Sequence, residues 1–183
     1  MPRFGDHLSR LASIPRRWIV VSIVVGLIAL VFAYSSESDQ LQQYKDRVGP
    51  AYENMIDSQI SYEENLARTN EISVGKLIDD PEYVAAMASV AASAKSFNLV
   101  ANRLISSLES DAPPGNCREY NSVLINLVTV LIEGMDVSLE GIDYLVTSGS
   151  DDTREWELKM QPLTMATDQL VSELQPAERE CFF

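Results

Sequence analysis

Two patterns of apolar positions divide the chain. Residues 18–34 form an unbroken run of seventeen residues without a formal charge. The sequence after this run places apolar side chains mainly at intervals of three and four, which is the spacing of an amphipathic helix. The first pattern predicts a membrane span, and the second predicts helices that bury one face in a common core.

The uncharged run is long enough to cross a membrane. An α-helix rises about 1.5 Å per residue, so the run covers roughly 26 Å of a hydrocarbon core about 30 Å thick. Eleven of its residues are Leu, Ile, Val or Phe, which favour insertion by about 3 to 7 kcal/mol in total. We therefore expect residues 18–34 to form a single transmembrane helix.

The charges before the run predict its orientation. Residues 1–17 contain four arginines and one aspartate, a formal +3, and Arg16 and Arg17 directly precede the span. Basic flanks remain on the cytoplasmic side. We expect a cytoplasmic tail (1–17) and an extracytoplasmic C-terminal domain, periplasmic or extracellular, on a plasma or inner membrane. The alternative is a secretory signal cleaved after Ala33, since residues 31–33 resemble a peptidase site.

Small side chains recur on one face of the predicted span. Their spacings of four, three and four place them on one side of the helix, where another helix can approach closely. They are Ser22, Gly26, Ala29 and Ala33. This face predicts contact with a protein partner or a homo-oligomer through the membrane helix, although small residues are also common in membrane helices in general.

Gly and Pro residues divide the sequence after the span. A polar helical stalk is predicted for 35–49, followed by an exported domain over 50–183 with four helical segments, at about 50–78, 81–109, 117–146 and 153–174. Asp80 fits a helix cap and Pro81 the first helical position. Long helices with short connections predict an all-α fold: a single N-terminal transmembrane helix followed by an antiparallel up-down-up-down four-helix bundle.

The second and third segments have the clearest patterns. In the second, apolar residues alternate at spacings of four and three, which predicts a buried seam: Tyr83, Met87, Val90, Ala94, Phe97, Ala101, Leu104 and Leu108. The third is apolar around most of its circumference, apart from one polar stripe: Ser122, Asn126, Thr129, Glu133, Asp136, Glu140, Asp143 and Thr147. Its acids argue against a second membrane span.

The two cysteines, Cys117 and Cys181, both follow the predicted span. On the extracytoplasmic side a disulfide between them is expected, and the alternatives are unpaired thiols or a bond to another subunit. In an antiparallel bundle, the start of the third helix and the end of the fourth lie together. The predicted pairing and the predicted topology therefore support each other.

Composition limits the chemistry. Residues 35–183 contain ten basic and twenty-six acidic residues, a formal −16, so nucleic acid is excluded as a natural partner. The single histidine, His7, lies before the span, and no nucleophile or phosphate-loop motif occurs. Four carboxylates lie on one face of the third segment, and we expect them to form a solvent-exposed ridge. We predict no enzyme activity, no catalytic residue, no metal and no cofactor.

A membrane span, a small-residue face and the lack of a catalytic motif favour function through protein contact. We expect a membrane-anchored bundle that acts as an accessory subunit or scaffold of a membrane complex. The alternative is an extracytoplasmic sensor or small-ligand-binding bundle, which in layout alone is similar to the sensor bundles of bacterial chemoreceptors. Its pocket would be lined by aromatic side chains that otherwise pack in the core. These are Tyr52, Tyr62, Tyr83, Phe97, Tyr120 and Trp156.

Overall fold

The computed structural model describes residues 39–73, 79–148 and 154–182. These residues form four long α-helices, and no β-strand occurs among them. The helices are α1 (Asp39–Ser73), α2 (Pro81–Glu109), α3 (Arg118–Ser148) and α4 (Arg154–Phe182), and a 3₁₀ turn at Gly115–Cys117 precedes α3. The predicted all-α class is confirmed for this part of the chain. The predicted span, 18–34, and the basic tail, 1–17, lie outside it.

The first helix continues through Gly49 and Pro50, where the sequence predicted a division between stalk and domain. Proline in a helix interior loses one backbone hydrogen bond and costs about 3 kcal/mol or more. Three apolar side chains before the proline, Leu41, Tyr44 and Val48, are buried. Burial of such side chains is worth about 1.5–3 kcal/mol each, which is enough to offset the proline. Residues 39–49 are thus part of the core.

The second helix follows its predicted pattern. The Asp80 carboxylate accepts hydrogen bonds from the backbone N–H groups of Glu82 and Tyr83, at 2.9 and 3.4 Å. Pro81 occupies the first helical position. Of the eight predicted seam residues, all but the half-buried Tyr83 are buried. The cap and the seam are therefore confirmed.

The third and fourth helices differ in how well the sequence predicted them. Every residue of the predicted polar stripe on α3 is exposed, which confirms the stripe. The fourth helix continues past its predicted end to Phe182 and contains Pro162 and Pro176, both at exposed positions. Because a solvent-facing carbonyl can bond to water, these prolines interrupt α4 at low cost. The predicted cap of α4, Asp152, lies outside the described residues.

A single hydrophobic core joins all four helices. In chain order each helix contacts the next, and α4 also contacts the 3₁₀ turn. Within the described residues, Pro81–Glu109 and Gly115–Ser148 are long and apolar enough to cross a membrane by length and composition alone. Both contribute fully buried side chains, among them Phe97 and Leu131, to the common core.

Candidate functional site

The most highly connected region lies where α4 ends against the start of α3. The structure brings Cys117 and Cys181 to disulfide-bonding distance, with their Cα atoms 4.3 Å apart. Both cysteines are buried. The side-chain amide of Asn116 donates to the Cys181 carbonyl at 2.8 Å, which satisfies a terminal carbonyl of α4. A cysteine pair at bonding distance and a hydrogen bond therefore both connect the end of α4 with the start of α3.

Aromatic packing extends this attachment. Phe182 is 3% exposed, and its ring meets that of Tyr120 edge to face, with centroids 5.2 Å apart. The ammonium of Lys45, from α1, lies 5.4 Å from the Phe182 ring centroid. This geometry is a cation–π contact. The ring of Phe182 is therefore part of the core, although it lies beyond the predicted end of the fourth helical segment at about residue 174.

A buried polar chain links three helices in the same region. The hydroxyl of Tyr44 on α1 donates to the side-chain oxygen of Asn121 on α3, at 2.9 Å. The Asn121 amide donates in turn to the carbonyl of Leu108 on α2, at 3.3 Å. Nearby, the guanidinium of Arg47 contacts the Asp111 carboxylate at 2.6 Å. We call the set comprising Tyr44, Cys117, Tyr120, Asn121, Cys181 and Phe182 the disulfide cluster.

The tyrosines of this region are held in the neutral form. Burial raises the pKa of Tyr44, Tyr52 and Tyr120 well above the usual value of 10. The positive charge of Arg47 opposes this effect only in part at Tyr44. Since none of these phenols ionises near neutral pH, each acts as a neutral hydrogen-bond donor and acceptor. They are unsuited to serve as anionic ligands or bases.

One hydroxyl in the disulfide cluster stands apart from the others. The Tyr120 hydroxyl is buried and has no hydrogen-bond partner among the described residues. Burial is the main reason that the pKa of Tyr120 is raised, and the negative charge of Glu178, near the end of α4, adds to this effect. Glu178 itself is half-buried, and burial raises its carboxyl pKa.

Two of the four carboxylates on the α3 stripe accept hydrogen bonds from neighbouring helices. Asp136 accepts a hydrogen bond from the Asn98 amide at 2.6 Å, and Glu140 accepts one from Lys159 at 2.9 Å. No group of three or more potential metal ligands occurs in the described part of the chain. The four carboxylates are exposed, as expected of a solvated ridge.

The predicted aromatic set does not gather at one point. Tyr52, Phe97 and Tyr120 are buried in the common core. Trp156 instead lies against Tyr144 and Gly141 near the start of α4, with ring centroids of Trp156 and Tyr144 4.6 Å apart. The structure thus separates Trp156 from the aromatic side chains of the common core.

The remaining predicted site residues fall on residues 1–38 and are outside the described structure. They are the orientation residues Arg16 and Arg17 and the small-residue face Ser22, Gly26, Ala29 and Ala33. Sequence reasoning missed Lys45, Asn121 and Phe182 as members of the buried region. A signal for α1 was available, because the spacing of Leu41, Tyr44 and Val48 continues across Pro50 to Tyr52.

Comparisons with known proteins supply no family for this chain. No protein-family model matches it. Searches of curated proteins and of solved structures likewise return no match.

Proposed function

We propose that the chain is a single-pass membrane protein whose extracytoplasmic four-helix bundle acts without catalysis, through protein contact, as an accessory subunit or scaffold of a membrane complex. The observation that carries this proposal is the combination of an uncharged run at 18–34 with a separate helical core. A membrane span followed by a packed helical domain is the arrangement expected of a domain tethered to a membrane. The basic tail before it favours a cytoplasmic N-terminus.

Contacts of the disulfide cluster support the up-down-up-down arrangement. Residues near the start of α1, the end of α2, the start of α3 and the end of α4 meet there. In an antiparallel bundle these are the four helix ends that lie at one end of the domain. With α1 leading outward from the span, this is the end nearer the membrane.

Cysteine chemistry supports an extracytoplasmic location. Cys117 and Cys181 are buried as a pair at bonding distance, and disulfides persist in oxidising compartments. We place the apolar helices α2 and α3 in this domain and not in the bilayer. Glu133 and Asp136 of α3 would each cost about 2.5 kcal/mol or more near the bilayer centre.

The first experiment is purification of the full-length protein from native membranes in mild detergent, with mass spectrometry of the proteins recovered in stoichiometric amount. We expect a defined membrane partner in the wild-type sample. Gly26→Leu fills the small-residue face and should remove that partner. Val24→Leu is the control, since position 24 lies on the opposite side of the helix and receives the same leucine side chain.

Three outcomes of this experiment support or contradict the proposed accessory role. A partner retained by Val24→Leu and lost by Gly26→Leu supports an accessory subunit that binds through the span. A partner retained by both variants still supports the accessory role and moves the contact to the bundle. A wild-type protein that purifies without any stoichiometric partner contradicts the proposal.

The second candidate is a small-ligand-binding bundle, and the Tyr120 hydroxyl favours it. A buried hydroxyl without a hydrogen bond costs about 1–3 kcal/mol, and a polar ligand that accepts this bond would recover that free energy. A library of polar small molecules should then contain one that raises the melting temperature of the wild-type protein, because ligand binding stabilises the folded state. The same compound should have a smaller effect on Tyr120→Phe. Equal shifts in both proteins would exclude this site.

A further inference from the structure

The largest exposed apolar side chains of α4 lie on one line along the helix. Leu158 is 70% exposed and Met165 is 66% exposed. Pro162 lies between them at an exposed position, so the three residues have the spacing i, i+4, i+7 of a single helix face. The opposite face of α4 provides its buried residues, such as Thr167 and Leu174. We call Leu158, Pro162 and Met165 the α4 stripe.

The exposed face of α2 has complementary properties. Its exposed positions in the first half are small, with Ala85, Ala88 and Ala92 on the side opposite the buried seam. Farther along the same side lie Lys95, Leu99 and Arg103, and Leu99 is 56% exposed. We call these six residues the α2 face. Its alanines leave space for large side chains of another helix, and its apolar residue Leu99 lies between the cations Lys95 and Arg103.

The charges of the α2 face are unusual for this protein. Residues 35–183 have a formal charge of −16, yet Lys95 and Arg103 form no ion pair with another described residue. Apart from Lys95, residues 83–102 contain no charged side chain. A solvent-facing helix usually carries many charges, so this length of α2 has the composition of a contact surface.

We propose that the protein associates with a second copy of itself, with the α4 stripe of one copy packed on the α2 face of the next. The spacing of the two surfaces fits. Leu158 and Met165 are seven residues apart, as are Ala85 and Ala92, and seven residues of helix span about 10.5 Å. Large side chains on one helix therefore meet small ones on the other at both positions.

Charge selects the direction of this pairing. When the helices run in parallel with Leu158 beside Ala85 and Met165 beside Ala92, Lys95 lies on the side of the contact where Glu173 follows within the next turns, as in the g-to-e pairs of parallel helices. Arg103 then comes level with Pro176, within one turn of Glu173 and Glu180. Both cations thus gain an acidic neighbour.

The antiparallel direction is less favourable. If Leu158 lies beside Ala92 and Met165 beside Ala85, Lys95 comes level with Glu155, which already contacts Lys159 within its own chain. Arg103 comes level with position 147, before α4 begins, and so meets no residue of that helix. The parallel direction is also the one available to copies tethered in the same membrane, although the contact does not depend on the tether.

The pairing joins two different surfaces, so each copy retains one free surface of each kind. Such a contact is heterologous, and it closes into a ring or continues as an open chain according to the rotation between copies. A contact between two identical surfaces would stop at a dimer. This difference gives the proposal a direct test.

The test uses full-length protein in detergent and two variants, each with one surface disrupted. Ala92→Glu places a carboxylate on the α2 face, and Met165→Glu places one in the α4 stripe; both positions are exposed, so the fold is retained. Fluorescently labelled Ala92→Glu is followed by sedimentation velocity while an unlabelled protein is added. Unlabelled Met165→Glu should make the labelled species sediment faster, because the labelled protein keeps an intact α4 stripe and its partner keeps an intact α2 face.

The control is unlabelled Ala92→Glu in place of Met165→Glu. Association through residues 18–34 is common to every sample, so it shifts both mixtures equally. We expect apparent affinity at least about tenfold weaker in the control mixture, corresponding to 1.4 kcal/mol. Equal sedimentation in the two mixtures would overturn the proposal.

A charge exchange provides the second test. Lys95→Glu alone should weaken self-association, and adding Glu173→Lys to the same chain should restore it, because every contact between copies then pairs the exchanged charges. Gln43→Glu, at an exposed position of α1 outside both surfaces, adds the same charge to the protein and should leave association unchanged. Weakening by Gln43→Glu to the same degree as by Met165→Glu would show a general charge effect and would contradict the proposed contact.

Discussion

The helices α3 and α4 meet in two regions that are held together in different ways. At one, the disulfide cluster combines a cysteine pair, an edge-to-face contact of Tyr120 with Phe182, and buried hydrogen bonds. At the other, Trp156 packs against Tyr144 and Gly141, and the charges of Glu140, Glu155 and Lys159 remain exposed. We call this second region the Trp156 contact. The comparison shows that an aromatic pair can lie in a helix contact that is closed to solvent, or in one whose charged side chains remain exposed to water.

The largest expected effect is on the cysteine pair. Replacing both residues, Cys117→Ala with Cys181→Ala, should lower the free energy of unfolding by about 4 kcal/mol, the chain-entropy value for this loop length. Urea unfolding of the full-length protein in detergent measures the change. Reductant should destabilise the wild type and leave the double variant unaffected. A wild-type protein insensitive to reductant under unfolding conditions would contradict the pairing.

The sequence predicted the partners of this pair but not their surroundings. Two cysteines after one span leave a single intramolecular pairing, so Cys117 and Cys181 could be identified without a structure. The continuation of α4 to Phe182 could not, because Pro176 is a strong signal for a helix end and its exposed position is visible only in the fold. Likewise, nothing in the sequence shows that Tyr44 and Asn121, seventy-seven residues apart, share a hydrogen bond.

The next prediction separates two hydroxyls of the disulfide cluster. Tyr44→Phe removes the donor to Asn121 and leaves a buried amide oxygen without its bond, so unfolding free energy should fall by about 1–3 kcal/mol. Tyr120→Phe removes a buried hydroxyl that makes no hydrogen bond to a described residue, so stability should increase, by up to the about 1–3 kcal/mol that leaving this group unbonded costs. Both changes are measured by urea unfolding, and each is the volume-matched control for the other. Equal losses in the two variants would show that the Tyr120 hydroxyl is bonded.

The Trp156 contact should be sensitive to a single methyl group. A Cβ at position 141 would lie 3.2 Å from Cγ of Trp156, so Gly141→Ala must displace the indole. We expect a loss of about 1 kcal/mol, since the cost of overpacking exceeds the helix propensity gained. Gly49→Ala is the matched control in α1, where a Cβ meets nothing within 4 Å, and it should gain about 0.5–1 kcal/mol. Thermal unfolding of both variants gives the signs. A stabilised Gly141→Ala protein would mean that the indole is loosely held.

Glu178 provides a pH dependence confined to the disulfide end of α4. Burial raises its carboxyl pKa above 4.5, so the unfolded chain releases this proton at a lower pH than the folded chain does. As pH rises from 4.5 through the folded-state pKa, ionisation therefore favours unfolding, and this contribution to stability is lost. Glu178→Gln should consequently become more stable relative to wild type between pH 4 and pH 7. Urea unfolding at both pH values tests this, with exposed Glu53→Gln on α1 as the control for the loss of one carboxyl group.

The smallest effect is expected at the exposed charges of the Trp156 contact. Lys159 lies 2.9 Å from Glu140 on α3 and 3.2 Å from Glu155 on α4, and these contacts raise its pKa. Because all three side chains are solvent-exposed, their attraction is screened by salt and offset by the loss of side-chain freedom. Lys159→Gln should therefore lower the melting temperature only slightly, and the difference from wild type should disappear in high salt. The buried contacts of the disulfide cluster are shielded from ions, so the loss in Tyr44→Phe should persist in the same buffer. A salt-independent loss in Lys159→Gln would mean that the Trp156 contact is closed to solvent, and the distinction between the two regions would no longer hold.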